Sequence, residues 1–257
     1  MKQFYFISGL PRSGTTLLSA ILNQNPEFHA SISGPLARFT RAIIAESSAQ
    51  SGYAHQCPQT TRKEIIKGIF DNYYERFDNN VIFDTNRGWT LLLPIIKDLY
   101  PYTKVICCVR DINWILDSFE QLIRKNAFQN TIMFTESENL NVYTRAHTLM
   151  QPERTVGFAY TALKHAITSD ERSMIMLVEY EQLCKQPQQM MKAIYKFIDK
   201  PYFDHDFNNV AMSFDEYDAE VMLPGLHTTR SKVEWIERET IIPPDILNTY
   251  AGMEVWR

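Results

Sequence analysis

The chain has 257 residues, 45% of them hydrophobic, with 30 acidic and 26 lysine or arginine side chains and a formal net charge of −4. That length supports one large α/β unit, so a single domain over residues 1–257 is expected. No apolar run approaches a membrane span, and the acidic balance argues against a broad nucleic-acid surface while leaving room for a local anion site. The apolar part of the N-terminus is too short for a secretory signal, which makes a cytoplasmic location the expectation. Cys57, Cys107, Cys108 and Cys184 show no C-x-x-C spacing and are expected to be free thiols, with no metal site.

In chain order, Phe4-Tyr5-Phe6-Ile7 is a short apolar run that predicts a buried strand. It breaks at Gly9, turns through Pro11 to Gly14, and enters a helical pattern from Thr15 that ends at Asn23 to Pro26. Gly9, Gly14 and Thr16 stand where the phosphate-loop pattern G-x-x-x-x-G-K-[ST] places its glycines and hydroxyl. Thr15 replaces the lysine of that pattern, and the positive charge sits instead on Arg12. Backbone N–H groups at a helix start cradle an anion, whereas the lysine serves a triphosphate. The loop is therefore expected to bind phosphate without being built for ATP.

A short strand and turn follow near His29 to Leu36, then a helix from Leu36 to Ser47, a loop over residues 51–60, and a helix capped by Thr61-Arg62-Lys63-Glu64. That second helix is expected to turn Ile65, Ile66, Ile69, Phe70 and Tyr73 into the core. Val81-Ile82-Phe83-Asp84 predicts a strand ending in an acid, with Arg87 just beyond it and a helix through Leu91 to Tyr100. Asp84 is open to three roles: a metal-holding acid in an ATP enzyme, a group near a transferred moiety or orienting Arg87, and a plain helix cap. Lys104 to Arg110 is the clearest buried strand, and Ser118 lies two turns into the following helix, so that Arg110 and Ser118 converge.

Residues 123–139 lack periodicity and are expected to form a mobile segment over the site. Helices over Leu140 to Met150 and Val156 to Thr168 carry Tyr143, His147, Tyr160 and His165, candidates for shaping an acceptor pocket. A strand at Ser173 to Val178, a helix at Gln188 to Asp199, an acidic irregular stretch from Asp204 to Glu220 and a basic loop from Gly225 to Val233 complete the order. At least four strands separated by helices call for a three-layer α/β/α architecture around a parallel sheet.

Pro11-Arg12-Ser13-Gly14-Thr15-Thr16-Leu17-Leu18 resembles the loop with which PAPS-dependent sulfotransferases hold the 5'-phosphosulfate of their donor. The run from Arg110 to Ser118 resembles the family's second signature, which binds the donor's 3'-phosphate, and the loop at Gly225 to Val233 resembles a C-terminal Gly-Leu-His-x-x-Arg segment of bacterial members. The resemblance implies a P-loop NTPase-like sulfotransferase fold and metal-independent sulfuryl transfer from PAPS to a hydroxyl or amine of a small molecule or peptide, releasing PAP. It implies donor contacts at Pro11, Arg12, Ser13, Gly14, Thr15, Thr16, Arg110, Ser118, Arg230 and Lys232. The lysine and histidine that cytosolic members carry after the second strand are absent, as is the glutamate of tyrosylprotein members. Asp84 stands as candidate base, with Arg87 and Arg12 stabilising the sulfuryl group. An ATP- and magnesium-dependent small-molecule or nucleotide kinase and a non-catalytic nucleotide-binding relative are the alternatives.

Overall fold

The computed structural model describes residues 2–48 and 52–257. Five strands, β1 (Gln3–Gly9), β2 (Phe28–Ala30), β3 (Val81–Thr85), β4 (Val105–Val109) and β5 (Ile175–Glu179), form one sheet in the order β2-β3-β1-β4-β5, every neighbouring pair parallel. Helices α1 (Thr15–Leu22), α8 (Tyr180–Lys185) and α9 (Pro187–Phe197) supply one covering layer. The other face is covered by α2 (Leu36–Glu46), α3 (Gln59–Tyr74), α4 (Leu93–Leu99), α5 (Ile112–Lys125), α6 (Val142–Met150) and α7 (Thr155–Thr168). Two short helices, α10 (Asp215–Glu220) and α11 (Pro244–Thr249), follow.

Strand periodicity divides the core in two. Phe4, Phe6, Ile82, Val105 and Cys107 point to the layer of α2 to α7, whereas Tyr5, Ile7, Phe83, Ile106 and Cys108 point to the layer of α1, α8 and α9. A strand buried on both faces needs apolar residues at every position, and for that reason these strands show runs rather than alternation. The chain leaves β1 toward β2 but leaves β4 toward β5, in the opposite direction. The loops after β1 and β4 therefore flank a topological switch point, where open α/β sheets form their ligand crevice.

Several local expectations are corrected. Helix α3 starts at Gln59 straight from the extended Pro58, which leaves Thr61 inside the first turn with no cap position to occupy. Its buried residues are Ile66, Phe70 and Tyr74, while Ile65 is exposed and Ile69 and Tyr73 are half-buried, a rotation of the expected stripe by about one residue. Of the loop expected over 51–60, Ser51 lies outside the described residues, and Gln59 already belongs to α3. The helix expected through Leu91 to Tyr100 is a 3-10 turn, Arg87–Leu91, followed by α4. The segment expected to be mobile is anchored: α5 runs on to Lys125, Phe134 is buried, Thr131 Oγ1 donates to the Val221 carbonyl at 2.7 Å, and Arg154 pairs with Glu138 at 2.6 Å. The acidic stretch contains α10, whose Asp218 is buried.

Gly9 ends β1 at φ 106°, and a Cβ there would lie 2.1 Å from the carbonyl oxygen of Cys108 on β4. Because backbone cannot retreat as a side-chain tip can, Gly9→Ala is expected to cost about 3 kcal/mol or more, lowering Tm by on the order of 10 °C in a thermal melt.

Candidate active site

The loop after β1 is stapled to β4. Leu10 N–H donates to Cys108 O at 2.9 Å, and the Ser13 hydroxyl donates to the same carbonyl at 2.9 Å and to Leu10 O. Gly14, at φ 94°, opens α1, and a Cβ there would meet the Tyr180 ring at 2.7 Å. The positive φ and the close ring together explain why this position is glycine. Thr15 and Thr16 follow at the helix start and line a cavity of about 1030 Å³ with Pro11, Arg12 and Gly14. Ser13 does not line it. Its side chain is fully buried as the staple, so a donor contact from the Ser13 hydroxyl is corrected to a structural bond.

Arg12 takes φ 56°, a left-handed conformation that costs an L-residue roughly 1–2 kcal/mol. The turn sends its guanidinium across the cavity, where Nε donates to Ser118 Oγ of α5 at 3.1 Å and Nη1 donates to the Leu226 carbonyl of the C-terminal basic loop. Arg110, at the end of β4, donates from Nη1 to the Arg12 carbonyl at 3.2 Å and lies over the Tyr180 ring at 4.5 Å. The two sequence anchors, some hundred residues apart, are thus one site. Burial first, then the charge of Arg110, lowers the Arg12 pKa to about 10. Burial likewise lowers that of Arg110, aided by the charge of Arg238.

Arg230 and Lys232 both line the cavity, and the field of Arg230 reaches Tyr180 and Cys184. Arg87 lines it too, with one long bond to the Thr155 carbonyl at 3.4 Å. Among the described residues, ten lysines and arginines line the cavity against two glutamates, in a chain whose net charge is −4. Three buried polar atoms of lining residues, Arg110 Nε, Arg238 Nη1 and Thr85 Oγ1, have no hydrogen-bond partner. Buried donors are ordinarily satisfied, and these two guanidinium nitrogens sit within the cavity wall with no acceptor among the described residues.

Asp84 does not line the cavity. It is fully buried behind the site, where Oδ2 accepts from the Tyr74 hydroxyl at 2.6 Å and Oδ1 accepts from Trp89 Nε1 at 2.7 Å. Desolvation raises its pKa to about 6 against the effect of those two donors. It makes no bond to Arg87, so the expected base is a core residue holding Trp89 beneath the 3-10 turn. Tyr143, His147, Tyr160 and His165 are likewise not lining residues. Sequence analysis missed Arg38 and Arg41 on α2, Arg238, and a histidine–aspartate pair. His227 Nδ1 lies 2.7 Å from Asp218 Oδ1, and the His227 N–H donates to Asp218 Oδ2 at 2.9 Å. The Gly-Leu-His motif contains that histidine, but its acid lies in the acidic stretch whose sequence predicts no regular structure.

Comparison with known proteins agrees with this arrangement. A model of the Sulfotransferase family matches residues 5–204, and the chain belongs to that family. The Danio rerio protein-tyrosine sulfotransferase 1 is 23% identical over 209 residues, covering 77% of this chain and 54% of that protein. Protein-tyrosine sulfotransferase 2 of Gallus gallus is 26% identical over 203 residues, covering 75% and 50% respectively. The chain thus spans about half the length of these curated relatives. Among solved structures, the sulfotransferase domain from the curacin biosynthetic pathway superposes with a TM-score of 0.56 at 16% identity, over 99% of this chain and 92% of that one. A sulfotransferase from Alicyclobacillus acidocaldarius gives 0.54 at 16% identity, over 86% and 89%. These likenesses establish the fold, a three-layer sulfotransferase α/β/α sandwich.

Asp84→Ala leaves the Trp89 N–H unpaired in the core and the Tyr74 hydroxyl with only its long bond to Ser31 Oγ, 3.4 Å. It is expected to cost about 2–4 kcal/mol by urea titration, roughly 1–3 kcal/mol for the stranded indole N–H and about 1 kcal/mol for the weakened hydroxyl bond.

Proposed function

We propose that this chain is a sulfotransferase that moves a sulfuryl group from PAPS to a hydroxyl acceptor, without a metal ion. Family membership supports the reaction class. The observation that carries the donor is the joining of the phosphate loop to Arg110 and Ser118 through Arg12, inside a cavity rich in unpaired cations. The loop N–H groups, Thr15 and Thr16 would hold the 5' end, and Arg110, Ser118, Arg230 and Arg238 the 3'-phosphate, each chosen because it faces the cavity. When bound, PAPS supplies the sulfuryl group and departs as PAP. Arg12 and Arg87, cations with no carboxylate partner, stabilise negative charge developing near the loop.

The kinase alternative is not favoured. Thr15 stands in place of the phosphate-loop lysine, and the acid at the end of β3, Asp84, is turned into the core rather than toward the loop.

A phenolic acceptor with nearby acids is the class the mouth of the cavity fits. Arg38 and Arg41, both exposed and without an ion pair among the described residues, line it from α2, and the relatives named above are protein-tyrosine sulfotransferases. Long, exposed cations attract carboxylates weakly, each by less than about 1 kcal/mol, so they bias rather than define the choice.

Calorimetry tests the donor: PAP is expected to bind in EDTA and ATP to gain nothing from magnesium, with Arg110→Ala weakening PAP by about 10- to 100-fold, as loss of charge-assisted bonds predicts. Preference for magnesium ATP would overturn the assignment. For the acceptor, the R38S/R41S pair is expected to raise KM for an acidic tyrosine peptide about three- to tenfold while leaving a neutral phenol unchanged, an effect that fades with added salt.

A further inference from the structure

The donor side of the cavity is supplied with cations, but transfer to a hydroxyl also needs a group to take the proton. Only a lining side chain can do so. The lining acids, Glu153 and Glu234, are exposed, the buried acids Asp84 and Asp117 are both turned into the protein, and the Cys184 thiol is held un-ionised by burial.

The geometry points to His227 as the general base and to Asp218 as the residue that positions it, a proposal that rests on the sulfotransferase reading. Asp218, 1% exposed, grips His227 twice, from the backbone N–H at 2.9 Å and from Nδ1 at 2.7 Å. An aspartate accepting at Nδ1 leaves the lone pair on Nε2, the nitrogen away from the carboxylate. Nε2 lies 3.4 Å from the Ser33 hydroxyl across the cavity, so the group already within its reach is of the kind an acceptor would present. Tyr217 meets the ring edge-on with centroids 4.9 Å apart and fixes its plane.

The neighbouring residue ties the histidine to the donor side. Leu226 O accepts from Arg12 Nη1, so the peptide unit immediately before His227 is bonded to the arginine of the phosphate loop. The charged groups that face the imidazole are Asp218 from α10, Arg12 from the loop and Arg87 from the 3-10 turn, with the Tyr217 phenol alongside. Burial is the largest influence on its pKa, and the two arginines act with it; together they outweigh Asp218 and hold the ring below the ordinary histidine range. His227 is therefore neutral at pH 7 and able to accept.

In the step so assigned, His227 Nε2 takes the acceptor hydroxyl proton as that oxygen forms its bond to sulfur. The bond from sulfur to the donor's phosphate oxygen breaks, and its electron pair leaves with the phosphate. The imidazolium left beside Asp218 then returns its proton to solvent.

Wild type, H227Q and D218N would be compared by pH profiles of transfer from PAPS to a phenol, by PAP titration calorimetry, and by NMR of the ring nitrogens. For wild type, kcat/KM is expected to fall on the acid side with a midpoint below 6.5, the ordinary histidine value. H227Q is expected to lose about 10²- to 10⁴-fold in kcat together with that acid limb, with PAP affinity within about twofold. D218N removes the charge that favours the imidazolium, so its acid limb should move to lower pH with a reduced plateau, and NMR should report Nδ1–H in the wild type. An active enzyme whose H227Q variant keeps the limb, or an Nε2–H tautomer in the wild type, would overturn the base alone. A wild type that binds PAP but transfers nothing to any hydroxyl would overturn the sulfotransferase reading beneath it.

Discussion

The structure depends on the placement of one guanidinium. Arg12 leaves the phosphate loop in a left-handed backbone conformation and bonds to Ser118 on α5 and to Leu226 in the C-terminal basic loop, while its own carbonyl receives Arg110 from the end of β4. Four separated parts of the chain meet there. None of these bonds is to a carboxylate, so the half-buried cation has neutral partners and lies beside a second cation. Burying charge in this way is unfavourable unless a counter-charge arrives, and a phosphorylated ligand is the counter-charge that would relieve it.

The wider electrostatics follow the same logic. An acidic protein concentrates cations in one cavity by keeping its buried acids out of it. Asp117, a fully buried residue of α5, accepts from Thr240 Oγ1 at 3.0 Å and the Ile241 N–H at 2.8 Å and pairs with Arg238. It thereby draws the C-terminal segment over the site and sets Arg238 in the cavity wall, with one nitrogen left unpaired. Asp84 supports Trp89 from below, and Asp218 orients His227. Each acid serves through a neighbour, which leaves the cavity positive and His227 as its neutral acceptor of protons.

The switch point of the sheet explains why the pieces can meet. Because β1 lies between β3 and β4, the loop that follows it faces Arg110 on one side and the Ser33 to Pro35 turn, pinned to β3 through the Gly34 N–H to Thr85 O bond of 2.7 Å, on the other. The proposed donor contacts lie toward β4 and β5, and the proposed acceptor mouth lies toward α2. The reacting region between them is reached by His227 from a segment that belongs to no strand.

Sequence alone determined the α/β rhythm of four of the five strands, because strands packed between two helical layers require unbroken apolar runs at Phe4, Val81, Val105 and Ile175. It also made legible the phosphate loop and the Arg110 and Ser118 spacing, since two glycines at a fixed interval after an apolar run and an arginine at the end of another are local patterns visible residue by residue. It misplaced Ser13 and Asp84, whose polar side chains are equally compatible with facing a ligand or facing the core. Only the tertiary structure decided that choice, turning Ser13 to the β4 carbonyl and Asp84 to Tyr74 and Trp89. It alone joined Asp218 to His227, because a nine-residue separation across a turn carries no periodic signal, and a hydrogen bond of 2.7 Å between them arises from how the chain folds back on itself.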